Sequence, residues 1–294
     1  MRVAIASGKG GTGKTTVAVN LALSLPGRVQ LLDCDVEAPN VHLFLHPSVE
    51  ISEPAGIPVP VVDPELCNNC GECSRLCQYN AIVSLSTGTL VFPELCHGCG
   101  GCALICPERA ITEKLRPIGV VEQGTARGLR TVHGCLNVGE ALVPPLIRQV
   151  RAKADPEAIV LIDAPPGTSC PMITAVRGCD YVILVTEPTP FGLNDLGLAV
   201  EAVRALGIPC GIVVNRVGIG DGRVHDYCAA ENLEILLEIP DDRRVAEAYA
   251  RGIPTLDAVP ELRSRFLQLA SRLRNRLPRA ADAALQKGGA RAHL

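Results

Sequence analysis

Eight residues near the start of the chain, Gly8-Lys9-Gly10-Gly11-Thr12-Gly13-Lys14-Thr15, constrain the fold more than any other stretch. They follow a short apolar run at 3–6 and precede Thr16-Val17-Ala18-Val19-Asn20-Leu21-Ala22-Leu23, whose apolar spacing is helical. The glycines therefore sit at a turn from strand to helix, which is where phosphate binds. Glycines let successive backbone N–H groups converge on the phosphates, and the helix N-terminus adds its positive end. A lysine at position 14 reaches the β- and γ-oxygens, and the Thr15 hydroxyl can ligate Mg²⁺. Gly8 to Thr16 are thus the expected binding residues for ATP or ADP. A glycine-rich turn that binds nothing is the alternative, and it leaves the agreement of loop and flanking elements without a reason.

Phosphate binding does not require a lysine at the second position, yet Lys9 stands there and makes the loop Lys-Gly-Gly-x-Gly-Lys-Thr-Thr. In this the chain resembles the deviant Walker A ATPases, which include the cell-division protein MinD, the partition ATPases, the Mrp-type iron–sulfur carriers and the nitrogenase iron protein. In that family the extra lysine reaches across a dimer interface to the partner's nucleotide. The resemblance implies a slow, partner-stimulated ATPase with Lys9 and Lys14 in catalytic roles, built as a homodimer or a heterodimer with a paralogue. A merely solvated lysine is the plainer account of Lys9.

After the first helix, residues 29–32 read as a buried strand that delivers Asp33-Cys34-Asp35 to the phosphate end of the sheet. The Asp35-Val36-Glu37-Ala38-Pro39-Asn40 segment resembles switch I, which implies that Asp35 orients or activates the attacking water. Two acids at a strand end also serve as turn caps. Residues 158–162 form an unbroken apolar strand ending at Asp163-Ala164-Pro165-Pro166-Gly167-Thr168, which resembles switch II, with Asp163 the second Mg²⁺ contact. Residues 181–186 and 210–214 are two more buried strands, with a helical stretch at 193–206 between them. By family resemblance Asn215 pairs with the adenine; a turn-forming asparagine is the alternative. A last strand is expected at 235–239, then a capped helix from Pro240, which the family places near the base. Leu262, Phe266, Leu269, Ala270, Leu273 and Leu277 share one helical face. That reads as a terminal helix covering the sheet rather than a MinD-type membrane helix.

Pro47, Pro54, Pro58, Pro60 and Pro64 interrupt regular structure and mark a boundary. Beyond it Cys67-x2-Cys70-x2-Cys73-x3-Cys77 is followed by Cys96-x2-Cys99-x2-Cys102-x3-Cys106-Pro107, an internal repeat with an offset of 29. This is the spacing of bacterial ferredoxins, in which three cysteines of each run hold one [4Fe–4S] cubane and the fourth crosses to the other. On that pattern cluster one takes Cys67, Cys70, Cys73 and Cys106, and cluster two takes Cys96, Cys99, Cys102 and Cys77. Zinc is the competing account, although four-cysteine zinc sites use two pairs rather than repeated quartets. Gln78 stands where the second run has Pro107, a departure expected to alter the turn without removing a ligand. His97 reads as a surface residue or a donor to cluster sulfur.

The other cysteines divide into two groups. Cys34, Cys179, Cys210 and Cys228 fall in or beside buried elements as small apolar residues. Cys170 lies seven residues after Asp163, and Cys135 lies 28 before it. Both spacings are similar to those of the two cysteines with which each nitrogenase iron protein subunit shares a [4Fe–4S] cluster, which implies a third cluster on the dimer axis; incidental thiols are the alternative.

The expected fold class is α/β: a mostly parallel, doubly wound P-loop NTPase sheet at 1–60 and 116–280. A small 2[4Fe–4S] ferredoxin-like α+β insertion is expected at 61–115, and a disordered tail at 281–294. With a net charge of −3 nothing suggests a nucleic-acid surface. No run of about 18 apolar residues is present to span a membrane, and the early phosphate loop is expected to leave no room for a signal peptide, so a cytoplasmic location is expected. Three functions fit: ATP-gated electron transfer between a donor and an acceptor, delivery of a cluster to an apo-protein, or MinD-like spatial organisation.

Overall fold

The computed structural model describes residues 1–276; Leu277 and the tail expected at 281–294 lie outside them. Its strands are β1 Arg2–Ala6, β2 Val29–Asp33, β3 Ser48–Val62, β4 Ile82–Leu85, β5 Gly88–Val91, β6 Ile111–Ala126, β7 Leu129–Leu136, β8 Ile159–Asp163, β9 Tyr181–Thr186, β10 Cys210–Val217 and β11 Ile235–Pro240. The helices are α1 Lys14–Ser24, α2 Val41–Leu45, α3 Glu72–Leu76, α4 Gly101–Ile105, α5 Val143–Ala152, α6 Cys170–Val176, α7 Pro190–Ala205, α8 Arg223–Ala230, α9 Arg243–Ala250, α10 Thr255–Ala258 and α11 Arg263–Arg276.

Two compact units share the chain. The first comprises Met1–Ser52, Val121–Cys135 and the described residues from Ile147 onward. Its strands belong to a sheet of order β11-β10-β9-β1-β8-β2-β7-β6-β3. β1 runs parallel to β8 on one side and to β9 on the other, and β2 runs parallel to β8 and β7. This mostly parallel α/β sheet is the expected class. Residues 3–6 are fully buried, as an unbroken apolar run in the middle of a parallel sheet requires. Because β1 has neighbours that connect in opposite directions, a crevice opens beyond its C-terminal end, where the phosphate loop lies. α1 is packed by Phe266, Leu269 and Leu273 of α11, which join Val17 and Leu21 in one core. The terminal helix therefore covers the sheet with its apolar face, leaving Arg263, Arg265 and Arg272 exposed.

β3, β6 and β7 correct the sequence expectation. The prolines were expected to break regular structure, but β3 runs through Pro54, Pro58 and Pro60. The reason is position: β3 ends the sheet order, and all three prolines share one parity, opposite to buried Ala55, Ile57 and Val59. Proline, which lacks an N–H, is tolerated on such an edge strand. Pro117 likewise lies within β6. Arg127 and Gly128, with φ of 52° and 81°, link β6 to β7 as a two-residue hairpin turn.

The second unit comprises Glu53–Val120 and Leu136–Leu146. It is wider than 61–115 because β3 and β6 lead into it as strands and a later segment returns to it. The Asn137 N–H donates to the Ile118 carbonyl at 2.9 Å, and Arg116 pairs with Glu140. Within it the 29-residue repeat is legible in the backbone. Gly71 and Gly100, with φ of 77° and 72°, start α3 and α4 in the left-handed conformation. Asn80 and Arg109 turn with φ of 52° and 51°. The Ala81 and Ala110 N–H groups each donate to the sulfur four residues earlier, Cys77 and Cys106, at 3.3 Å. The turn after Cys77 is not altered by Gln78.

Candidate functional site

The phosphate loop folds as it does because two of its glycines admit nothing larger. A Cβ on Gly8 would lie 2.0 Å from the Asp195 carbonyl oxygen, and one on Gly13 would lie 2.4 Å from Asn215 Nδ2. Gly13 also adopts φ 93°, and Gly11 φ 78°, conformations that cost an L-side chain energy. Gly10 and Gly11 face open space, so their bareness serves whatever approaches the loop. Lys14 begins α1 with only 7% of its surface exposed. A cavity of about 350 Å³ opens here, lined by Gly10, Gly11, Gly13, Lys14, Thr15 and Thr16 on the loop side, by Asp35 and Asn40, by Pro166, and by Asn215 and Arg216. Asp241, Asp242, Val245, Ala246 and Tyr249, from the end of β11 and α9, close its far side. The capped helix expected after Pro240 is α9: Asp242 caps it by accepting the Arg244 N–H at 2.8 Å.

Acidic residues stand where the strands deliver them. Asp33 and Asp163 face each other across the β2–β8 register. Asp33 binds its own loop, with Oδ1 accepting the Asp35 N–H at 3.1 Å and Oδ2 accepting those of Asn40 at 2.8 Å and Val41 at 3.0 Å. It was not singled out in the sequence, although its strand-end position was visible; it fixes the 35–41 loop rather than facing the cavity. Burial, and then the Asp163 charge, push its carboxyl well above the usual range. Asp163 is 1% exposed, and neither carboxylate oxygen meets full hydrogen-bond geometry with a donor among the described residues, the Thr15 hydroxyl being the one beside them. Burial raises its pKa to about 7 against the lowering effects of the neighbouring Thr15 hydroxyl and Lys14. Two buried, unsatisfied carboxylate oxygens beside a hydroxyl fit a hard divalent cation such as Mg²⁺. Asp35, half-buried on the cavity wall, is also raised, by burial first, with Lys14 opposing.

Two expected residues are held in ways the sequence did not reveal. Lys9 is not among the residues lining the cavity; its Nζ lies 3.1 Å from Glu187 Oε2. Asn215 lines the cavity, but its Nδ2 donates to the Thr12 carbonyl at 2.8 Å and its Oδ1 accepts the Arg216 N–H at 3.0 Å. Asn215 therefore buttresses the phosphate loop with the same amide that the family resemblance assigns to adenine.

In the second unit the cysteines line two separate cavities. One, narrow at about 20 Å³, is lined by Cys67, Cys70, Cys73 and Cys106. The other, of about 330 Å³, is lined by Cys77, Cys96, Cys99 and Cys102, with Cys73 also at its wall. The fourth cysteine of each run thus lies against the other run's cavity. Among the described residues no group of three His, Cys, Asp or Glu side chains is placed to hold a metal ion. Burial, together with the neighbouring thiols Cys67 and Cys70, raises the Cys73 pKa, and burial with Cys96 and Cys99 does the same at Cys102. His97 stacks on Tyr79 with ring centroids 3.6 Å apart at the wall of the wider cavity.

The remaining cysteines separate as the sequence suggests. Cys34, Cys179 and Cys228 are buried, and burial raises the thiol pKa of all three, the latter two to about 11; Cys210 is shifted in the same direction. Cys135 and Cys170 are exposed. Cys135 lies near the C-terminal end of β7 and Cys170 begins α6, after the loop leaving the C-terminal end of β8. Both therefore lie toward the sheet edge that carries the phosphate loop.

Among the described residues no helix is long and apolar enough to cross a membrane. Comparison with known proteins supports the same reading of the nucleotide site. Similar sequences include an uncharacterized protein of Methanocaldococcus jannaschii, 34% identical over 226 residues that cover 75% of this chain and 80% of that one. An iron-sulfur cluster carrier protein of Pyrococcus horikoshii is 27% identical, covering 94% of this chain and 86% of the other. Among solved structures, the septum site-determining protein MinD of Pyrococcus horikoshii, complexed with Mg-ADP, superposes with a TM-score of 0.55 at 21% identity, over 92% and 95% of the two chains. The cell division ATPase MinD of Pyrococcus furiosus gives a TM-score of 0.56 at 23% identity, over 93% and 98%. The family model of the CobQ/CobB/MinD/ParA nucleotide binding domain matches residues 3–256, and with its phosphate loop, paired strand-end aspartates and sheet order this chain belongs to that family.

Proposed function

We propose that this protein is an ATP-hydrolysing dimer that couples nucleotide state to one-electron transfer through two resident [4Fe–4S] clusters. The observation that carries the reading is the pairing of each cysteine quartet with its own cavity, the fourth member crossing from the other run. That arrangement is what the bacterial ferredoxin pattern requires, and repeated quartets do not match the two-pair layout of four-cysteine zinc sites. When bound, the clusters supply low-potential one-electron chemistry. The protein supplies thiolates, N–H donors to the sulfurs of Cys77, Cys96 and Cys106, and a backbone that fixes both quartets.

At the nucleotide, Lys14 and the loop N–H groups hold the β- and γ-phosphates, while Thr15 and Asp163 hold Mg²⁺. Water attacks the γ-phosphorus as the bond to the ADP oxygen breaks, and Asp35, its pKa raised by burial, orients that water and accepts its proton. Lys9 crosses to the nucleotide of a second subunit. The chain runs from the 35–41 loop through α2 directly into β3, so nucleotide-dependent movement of that loop acts on the strand entering the cysteine unit. Cys135 and Cys170 of two subunits form a third cluster site on the dimer axis.

The test is anaerobic reconstitution followed by iron quantitation and EPR, with and without MgATP. About eight irons per chain in the quartets, and a spectrum or potential that changes with MgATP, support the reading. Zinc with negligible iron would reject the clusters, and nucleotide-independent spectra and potentials would reject the coupling. The similarity to the iron-sulfur cluster carrier protein of Pyrococcus horikoshii favours a second reading, cluster delivery. Rapid transfer of iron and sulfide to an apo-acceptor would select it over electron transfer.

A further inference from the structure

The carboxylate of Glu187 lies between two cations beside the phosphate loop: Lys9 Nζ is 3.1 Å from Oε2 and Arg216 Nη1 is 3.0 Å from Oε1. Glu187 is only 6% exposed, and the backbone around it is fixed on both sides. Its carbonyl accepts the Thr189 N–H at 2.8 Å, and a Cβ on Gly192 would come within 2.3 Å of the same oxygen. Arg216 has the left-handed φ of 56°, and the loop after it passes so near that a Cβ on Gly220 would meet the Pro188 carbonyl at 1.4 Å. Glu187 cannot follow Lys9 outward. Lys9, on a flexible stem with a 30% exposed side chain, is the member that must leave.

We propose that Glu187 is a positioning residue that latches Lys9 in the separate subunit and releases it when the lysine crosses to the nucleotide of a second copy of this chain. The inference rests on the crossing role of Lys9 proposed above. Arg216 is what lets the latch open: removing one of two cations leaves the buried carboxylate still paired, whereas losing both would strand an uncompensated buried charge. Each subunit releases one lysine, so the factor imposed per subunit enters the dimer dissociation constant squared. A partly exposed pair of this kind contributes about threefold to tenfold per subunit, hence about 10- to 100-fold in the dimer.

The experiment measures dimer dissociation constants by sedimentation velocity, using full-length, cluster-loaded protein with Mg²⁺ and a non-hydrolysable ATP analogue. The parent is compared with Glu187→Gln, Glu187→Asp, Lys9→Ala and the double variant. Glu187→Gln should dimerise about 10- to 100-fold more tightly with unchanged nucleotide affinity in the monomer, and Glu187→Asp should move the same way by less. In the Lys9→Ala background Glu187→Gln should change nothing, because no lysine remains to release. An unchanged constant for Glu187→Gln, or an equal shift in both backgrounds, overturns the latch while the Lys9 reading stands if Lys9→Ala dimerises more weakly than the parent. Should Lys9→Ala dimerise like the parent, the reading and the latch fall together. If Glu187→Gln does not fold, Glu187→Asp decides alone: no tightening overturns the latch.

Discussion

Asp163→Asn should stabilise the metal-free protein at neutral pH while abolishing its response to magnesium. Asp163 is buried with only the Thr15 hydroxyl beside its oxygens as a donor, and burial raises its pKa from 3.8 to about 7 against that hydroxyl and Lys14. The folded state therefore holds a proton that the unfolded chain has already released, and stability falls as pH rises from 3.8 through 7. At about 1.4 kcal/mol per pH unit of displacement the full loss is about 4 kcal/mol, of which about 2 kcal/mol falls between pH 5.5 and 8.5. The buried neighbour Asp33 is shifted in the same direction and adds to the slope. Urea unfolding in EDTA at four pH values across that window should show the parent losing about 2 kcal/mol relative to Asp163→Asn. With ADP present throughout, adding Mg²⁺ should restore the parent, flatten its pH dependence and leave the variant unmoved. A parent whose stability stays flat or rises from pH 5.5 to 8.5, relative to the variant, would refute the idea that this carboxylate is an unsatisfied cation ligand.

Gly13→Ala places a methyl where Asn215 Nδ2 lies 2.4 Å away, at φ 93°; calorimetry should show ADP binding weakened by at least about tenfold, with a stability loss of about 1–3 kcal/mol. Lys14→Ala should abolish nucleotide binding, whereas Lys9→Ala should keep it and lose turnover; equal ATPase rates for Lys9→Ala and the parent would remove the crossing role. Cys77→Ser should perturb the EPR signal of the cluster held by Cys96, Cys99 and Cys102, and Cys106→Ser that of the other; the reverse assignment would sink the crossed ligation. The double variant Cys135→Ser, Cys170→Ser should lose iron beyond that held by the two quartets, and full retention would mean that these thiols hold no cluster.

Legibility followed burial. β1, β8, β9 and β10 could be read from near-continuous apolar runs, and β2 and β11 from runs broken by one polar residue each, Gln30 and Glu238, because a parallel strand covered on both faces tolerates little else. β3 could not, because the signal that breaks an interior strand is harmless on an open edge, and only the sheet order shows which case applies. The same division holds at the site. Gly8 to Thr16, Asp35 and Asp163 were visible because loop chemistry is local. Glu187 was not: its partners Lys9 and Arg216 are remote in sequence, and a lone glutamate at a strand end carries no pattern. Asn215 and Thr12 likewise meet only after folding, across 203 residues.

The departure at Gln78 shows why the repeat persists despite unequal residues. A residue preceding proline is driven out of the helical region toward extended backbone, so Pro107 by itself accounts for the conformation of Cys106, φ −67° and ψ 113°. Cys77 reaches φ −71° and ψ 106° without a proline after it. What the two sites share is the turn that follows: a left-handed residue at Asn80 or Arg109, then an alanine N–H aimed back at the cysteine sulfur. A left-handed asparagine is inexpensive and a left-handed arginine is not. The first repeat thus holds the turn with Asn80, and the second, with the costlier Arg109, holds it with Pro107. Two different local solutions present Cys77 and Cys106 in one geometry, as two cavities that exchange their fourth ligands would require.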